Sequence, residues 1–125
     1  MKILIEKILN ESIYFSTNYG KGKGVWRGNS KPIEKEYFVE FDIDKLYCFH
    51  ELFINENRRY QIEIRNETLY LTLLLLEYDE AGCATFQLGD SIIEIETIFD
   101  KRFLELINLY VTIIVETLNI FDENI

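Results

Sequence analysis

The segment Tyr37-Phe38-Val39-Glu40-Phe41-Asp42-Ile43-Asp44 constrains the fold more than any other stretch of this chain. Its odd positions are all apolar, and positions 40, 42 and 44 are acidic. Side chains of an extended strand point alternately to opposite faces, so this spacing predicts a half-buried strand with one wet face. Tyr60-Gln61-Ile62-Glu63-Ile64-Arg65 repeats the pattern, and Asn66-Glu67 after it reads as a tight turn. Residues 68–78 are apolar on both parities from Leu73 to Leu76, which predicts a strand that is central or curled into a barrel. Asp79-Glu80-Ala81-Gly82 returns the chain into a strand over 83–88, and Gly89-Asp90 turns it again into one over 91–97. Strands joined by such short connections predict an antiparallel meander.

The two ends of the chain are less regular. Residues 2–15 carry Ile3, Ile5, Ile8, Leu9, Ile13 and Phe15, and the alternation slips once near Lys7. This reads as one long strand with a bulge, with a helix over 2–10 as the alternative. Phe103, Ile107, Tyr110, Ile114, Leu118 and Phe121 fall on a helical stripe, whereas 110–117 is a β-branched run headed by an aromatic. The reading adopted is a short helical turn near 100–107, within 100–110 at most, and a closing strand over 109–121. The whole is a mostly β chain, a small antiparallel barrel of six to seven strands with OB-like topology. At 125 residues, with 48% hydrophobic and 14% aromatic content, residues 1–125 make a single domain with a real core.

The first residues meet charge at Lys2 and Glu6, too early for a secretory leader. The run Leu73 to Leu76 is far below the roughly 20 apolar residues of a membrane helix. Cys48 and Cys83 sit in no metal or redox motif and read as reduced thiols, so the expected location is cytoplasmic, with no membrane partner.

The compositional break is 16–36, which holds four of the six glycines and the only proline. It reads as a long loop, and long loops often carry function. Tyr19, Lys21, Lys23, Trp26 and Arg27 are its candidate binding residues, since cations and aromatics on a glycine-rich segment can neutralise and stack single-stranded nucleic acid. The phosphate-loop and dinucleotide glycine patterns are absent. The competing readings of this segment are a flexible loop with Trp26 folded back as a cap, and a protein-binding loop. Glu40, Asp42 and Asp44 read as a solvated strand face rather than a cation site. Cys48 and His50 fall on one side of a strand, a spacing that superficially resembles a thiol and its base. Their apolar neighbours favour packing. The chain is therefore read as non-enzymatic, with no cofactor and no metal.

Charge divides unevenly along the sequence. The net charge is −9, yet residues 1–65 sum to +1 and residues 66–125 to −10. Glu77, Asp79, Glu80, Asp90, Glu94 and Glu96 lie on the meander and form a candidate partner-facing surface for a basic protein. Solubility alone is the competing explanation. The global charge argues against nucleic acid as the main partner. The run 110–115, apolar on both parities, raises homo-oligomerisation as a further option.

Trp26-Arg27-Gly28 followed by Pro32, the strand 37–43, Leu88-Gly89-Asp90-Ser91-Ile92-Ile93, and the ending Ile120-Phe121-Asp122-Glu123-Asn124-Ile125 together resemble small uncharacterised bacterial OB-like barrel proteins, some of which look like immunity partners of secreted toxins. The resemblance implies a fold and a toxin-neutralising binding role, and brings no catalytic residues. The alternative expectation is an OB-type binder of single-stranded nucleic acid or a small ligand through 18–35.

Overall fold

A computed structural model describes residues 1–28 and 30–123; Asn29 within the glycine-rich segment and the terminal Asn124 and Ile125 lie outside the described residues. The protein is 57% strand and 7% helix, with a closed five-stranded β-barrel and additional strands. The ring is built from β1 (Lys2–Leu9), β2 (Ser12–Thr17), β3 (Gly20–Trp26), β4 (Glu36–Asp42) and β11 (Asn119–Asp122). Its strands run in the order β1-β2-β3-β11-β4 and back to β1. Every neighbour pair is antiparallel except β3 with β11.

Between β4 and β11 the chain builds a second layer. β5 (Phe53–Ile54), β6 (Gln61–Arg65), β7 (Thr68–Tyr78), β8 (Cys83–Leu88), β9 (Ser91–Glu96) and β10 (Tyr110–Val115) are arranged around β7. β6 and β8 follow one another along one edge of β7, and β10 lies along the other. A rung between Gly20 and Ile62 joins β3 to β6 in parallel and so connects ring and second layer. Buried side chains of both form one cluster, from Ile3, Ile13 and Phe15 to Leu71, Phe86, Phe103 and Ile113. Phe103 is fully buried, with ring centroids 5.4 Å from Phe49 and 4.6 Å from Tyr78.

The four antiparallel strands over 60–97 are present with their predicted turns, but they do not form a simple meander: β8 follows β6 along one edge of β7 instead of taking its other edge, which β10 occupies. Asn66 and Glu67 both take positive φ, the combination that a two-residue hairpin turn matched to strand twist requires. Asp79 caps the next turn by accepting from the Ala81 and Cys83 amides. β7 is central in its first half and shifts register between Leu75 and Glu77, which explains its apolar run on both parities.

Further expectations are corrected. Residues 2–15 are not one strand: the slip near Lys7 is a real bulge between Ile5 and Lys7, but Asn10 adopts φ 58° and folds the segment into the β1–β2 hairpin. Asparagine tolerates that left-handed conformation, which makes the turn possible. Segment 16–36 is not a loop throughout, because 20–26 is β3. Gly22 and Gly24 face inward, where a β-carbon would collide with Phe15 and Ile62, or with the Leu118 carbonyl and Ile120. The two-residue period is therefore carried by glycine against lysine. The predicted closing strand over 109–121 is two strands in different layers, β10 on β7 and β11 in the ring, after a 3-10 helix at Lys101–Leu106. Cys48 and His50 do not share a strand face, since Phe49–Glu51 is a 3-10 turn. The described residues contain eleven strands, more than the six to seven expected.

No helix among the described residues is long and apolar enough to cross a membrane.

Candidate functional site

The five candidates of the glycine-rich segment do not form one exposed site. Tyr19 lies at the junction of ring and second layer: its ring packs edge-on against Tyr60 at 5.6 Å, its carbonyl accepts from the Ile62 amide, and it fills the space over Gly89. Lys21 reaches Glu6 at 3.4 Å, and Lys23 reaches the carboxylate of Glu67 at 3.6 Å and donates to that residue's carbonyl. Trp26 is half-buried, edge-on to Tyr37 at 4.9 Å, with its indole N–H donating to the Ser30 carbonyl at 2.7 Å. Arg27 donates through Nε to Asn119 Oδ1 at 2.8 Å.

That last contact belongs to a polar chain at one end of the barrel. Asn119 is only 3% exposed, and its amide donates onward to Asp44 at 3.0 Å. Asp42 lies beside them on β4. Burial, with the neighbouring Asp44 carboxylate, pushes the Asp42 carboxyl above its ordinary range, and Asn119 opposes the shift. The chain is fully bonded and reads as a structural lock on the β3–β11–β4 junction. Sequence reasoning had no means to find Asn119, because it falls near the end of a segment read as one apolar strand.

The six acidic candidates divide into two places. Glu77, Thr85 and Glu94 lie on one cross-strand row of β7, β8 and β9, and Glu96 lies opposite Cys83. Asp79 and Glu80 occupy the turn at that same end of the β8–β9 hairpin, and all five acids are exposed. Burial raises the Cys83 thiol, and Glu94, Asp79 and Glu96 raise it further, which registers the negative field on this face. Asp90 is at the opposite end of the hairpin, 3.8 Å from the Met1 ammonium. At about 3.3 Å per residue, β9 places it roughly 20 Å from Glu96.

Ion pairing lies elsewhere. The ion pairs among the described residues engage the Met1 ammonium, Lys2, Lys21, Lys23, Lys45, Arg65 and Arg102 with Asp90, Glu36, Glu6, Glu67, Glu51, Glu63 and Asp100 respectively, and Lys45 also with Glu116. None involves Glu77, Asp79, Glu80, Glu94 or Glu96.

Cys48 does not meet His50. Its thiol lies 3.4 Å from Glu51 Oε1, which also accepts from the Cys48 amide. Lys45 and these contacts hold the Glu51 carboxyl below its ordinary range. Of the run 110–115, Val111, Ile113 and Val115 are buried, while Tyr110 packs on Tyr60 and Ile114 remains exposed.

Three exposed residues that sequence reasoning passed over stand out: Phe38, Ile92 and Glu123. They border a groove between the start of β9 and the outer face of β4, together with Met1, Glu40 and Asp90. The signal was present in Phe38, an aromatic on the otherwise acidic parity of the strand that defines the fold. No protein family, curated protein or solved structure matches this chain.

Proposed function

We propose that this protein is a non-enzymatic binding module whose acidic face on β7, β8 and β9 engages a basic protein, in the manner of a cytoplasmic toxin-neutralising immunity protein. The observation that carries this reading is the group of five exposed carboxylates at the Cys83–Glu96 end of β8 and β9, none of which is in an ion pair among the described residues. Such a field accelerates encounter with a cationic surface and repels anionic competitors, more than it adds raw affinity. β8, paired on both edges, sets the register of Glu77 on β7 with Glu94 and Glu96 on β9, which limits the ordering cost of binding.

An OB-type reading of the ring accompanies this proposal. It is supported by the Greek-key order in which the last strand returns between β3 and β4. The alternative, an OB-type binder of single-stranded nucleic acid through 18–35, needs Lys21 and Lys23 to leave Glu6 and Glu67. Exposed pairs of this kind are worth about 0–1 kcal/mol each, so an anion can displace them. Tyr19 and Trp26, however, are already engaged within the fold, in edge-to-face contacts with Tyr60 and Tyr37 and, for Tyr19, over Gly89.

The test is capture from the producing cell with the native protein and with a Glu77→Gln/Glu80→Gln/Glu94→Gln/Glu96→Gln variant. The expected result is a protein of high isoelectric point held by the native chain alone and released at about 1 M salt, where the Debye length is about 3 Å. A partner retained equally by both proteins contradicts the reading.

A further inference from the structure

The groove at the other end of β9 suggests how a basic partner is held, and we propose that it seats an arginine or lysine side chain on an extended segment of that partner. This rests on the acidic-face reading, which it deepens.

The groove has a volume of about 350 Å³. Phe38 and Ile92 give it an apolar surface, 49% and 56% exposed. Isolated exposed hydrophobics need no explanation, but two lining one concavity leave apolar area for something to cover. Glu40, Asp90 and Glu123 supply three carboxylates around it. The Glu123 amide donates to the Phe38 carbonyl at 3.0 Å, which fixes this acid beside the aromatic ring's own strand.

No lysine or arginine lines the groove among the described residues. Lys2, opposite Phe38 on β1, is engaged by Glu36 at 3.3 Å. The Met1 ammonium donates to the Val39 carbonyl at 3.1 Å and lies 3.8 Å from Asp90. Glu40 and Glu123 have no ion-pair partner among the described residues. An apolar surface rimmed by unpaired carboxylates complements a side chain with an aliphatic stem and a cationic head. An acidic or purely apolar segment would leave those carboxylates against a like charge or poorly solvated.

β9 adds the reason for an extended segment. As a strand it is hydrogen-bonded only to β8; its second edge is taken at Glu96, whose carbonyl accepts from the Tyr47 amide at 3.0 Å, and beside the groove, over 91–94, it has no strand partner among the described residues. Extended peptides add to such edges, with affinity from the backbone and specificity from pockets for alternate side chains. A segment along this part of β9 would pass from the groove toward Glu94 and end before Tyr47, which brings it to the margin of the acidic face.

The test is an NMR titration of the isotope-labelled protein with a blocked hexapeptide of alternating arginine and valine, and with the same peptide carrying citrulline for arginine. Exposed Glu40, Glu123 and Phe38 are the sites to vary. The expected result is binding at low salt with shifts at Phe38, Glu40 and Ile92, weakened about tenfold by Glu40→Gln/Glu123→Gln, by Phe38→Ser and by citrulline. If Glu94→Gln/Glu96→Gln abolishes binding and Glu40→Gln/Glu123→Gln leaves it unchanged, the groove is overturned and the acidic face stands. If the native protein binds no arginine peptide at low salt, both fall.

Discussion

Gly20 of β3 lies opposite Ile62 of β6, so close that a β-carbon on Gly20 would overlap the Ile62 carbonyl oxygen. This is the rung through which the closed ring meets the second layer, and the neighbouring Ile62 amide donates to the Tyr19 carbonyl at 2.9 Å. Gly20 also has φ 128°, a conformation that L side chains rarely adopt. Steric and conformational demands coincide at one residue, and the candidate surfaces on β9 depend on the layer it anchors.

Gly20→Ala is therefore expected to destabilise the protein by more than about 1 kcal/mol. Urea unfolding monitored by tryptophan fluorescence checks it, and an unchanged midpoint would show that the rung is dispensable.

Phe103 closes the aromatic stack between Phe49 and Tyr78 and is fully buried. Phe103→Ala should cost about 3–5 kcal/mol, the usual range for emptying an aromatic core site. Loss of near-ultraviolet circular dichroism with retained β signal in the far ultraviolet would accompany partial loosening of the second layer.

Asp100 and Arg102 set one pH response. Hydrogen bonds from the Arg102 side chain and amide lower the Asp100 carboxyl from its ordinary 3.8 to about 2. A depressed carboxyl stabilises the fold above its ordinary range, and that contribution is lost as pH falls from about 4 through about 2. Asp42 has the opposite sign. Its raised carboxyl favours protonation in the folded state, so its own contribution weakens as pH rises past 3.8 into the range above. Carbonyl NMR titration should show Asp100 ionising low and moving up toward 3.8 in Arg102→Gln, with Asp42 ionising late. Coincident titration of the two would contradict both assignments.

Glu94→Gln/Glu96→Gln is expected to leave stability within about 0.5 kcal/mol, because both side chains are exposed and unpaired. The same variant should flatten the salt dependence of association with a cationic protein. A large stability change in thermal unfolding would assign these acids a structural role instead.

The apolar alternation at 37–43, 60–65 and 83–97 was legible because those strands bury one face with bulky side chains. β3 was not, since its inward positions are glycines and apolarity carried no period there. The division between β10 and β11 was hidden for a related reason: Leu118 and Ile120 are as buried as Val111 and Ile113, though they enter different layers. The acidic residues of β7, β8 and β9 could be read from charge counts, but their separation from Asp90 depended on hairpin geometry. Lys21 and Lys23 looked free in the sequence because Glu6 and Glu67 reach them only through strand pairing and the β6–β7 turn.

The central claim is that this protein presents its acidic face, rather than the segment 18–35, to its partner. Parallel amide-shift titrations at low salt with a hexa-arginine peptide and with a hexathymidine oligonucleotide test it most directly. The expected result is peptide-induced shifts at Glu77, Glu94 and Glu96 that fade with added salt, and no response to the oligonucleotide. Oligonucleotide-induced shifts at Lys21, Lys23 and Trp26, with no response to the peptide, would contradict it.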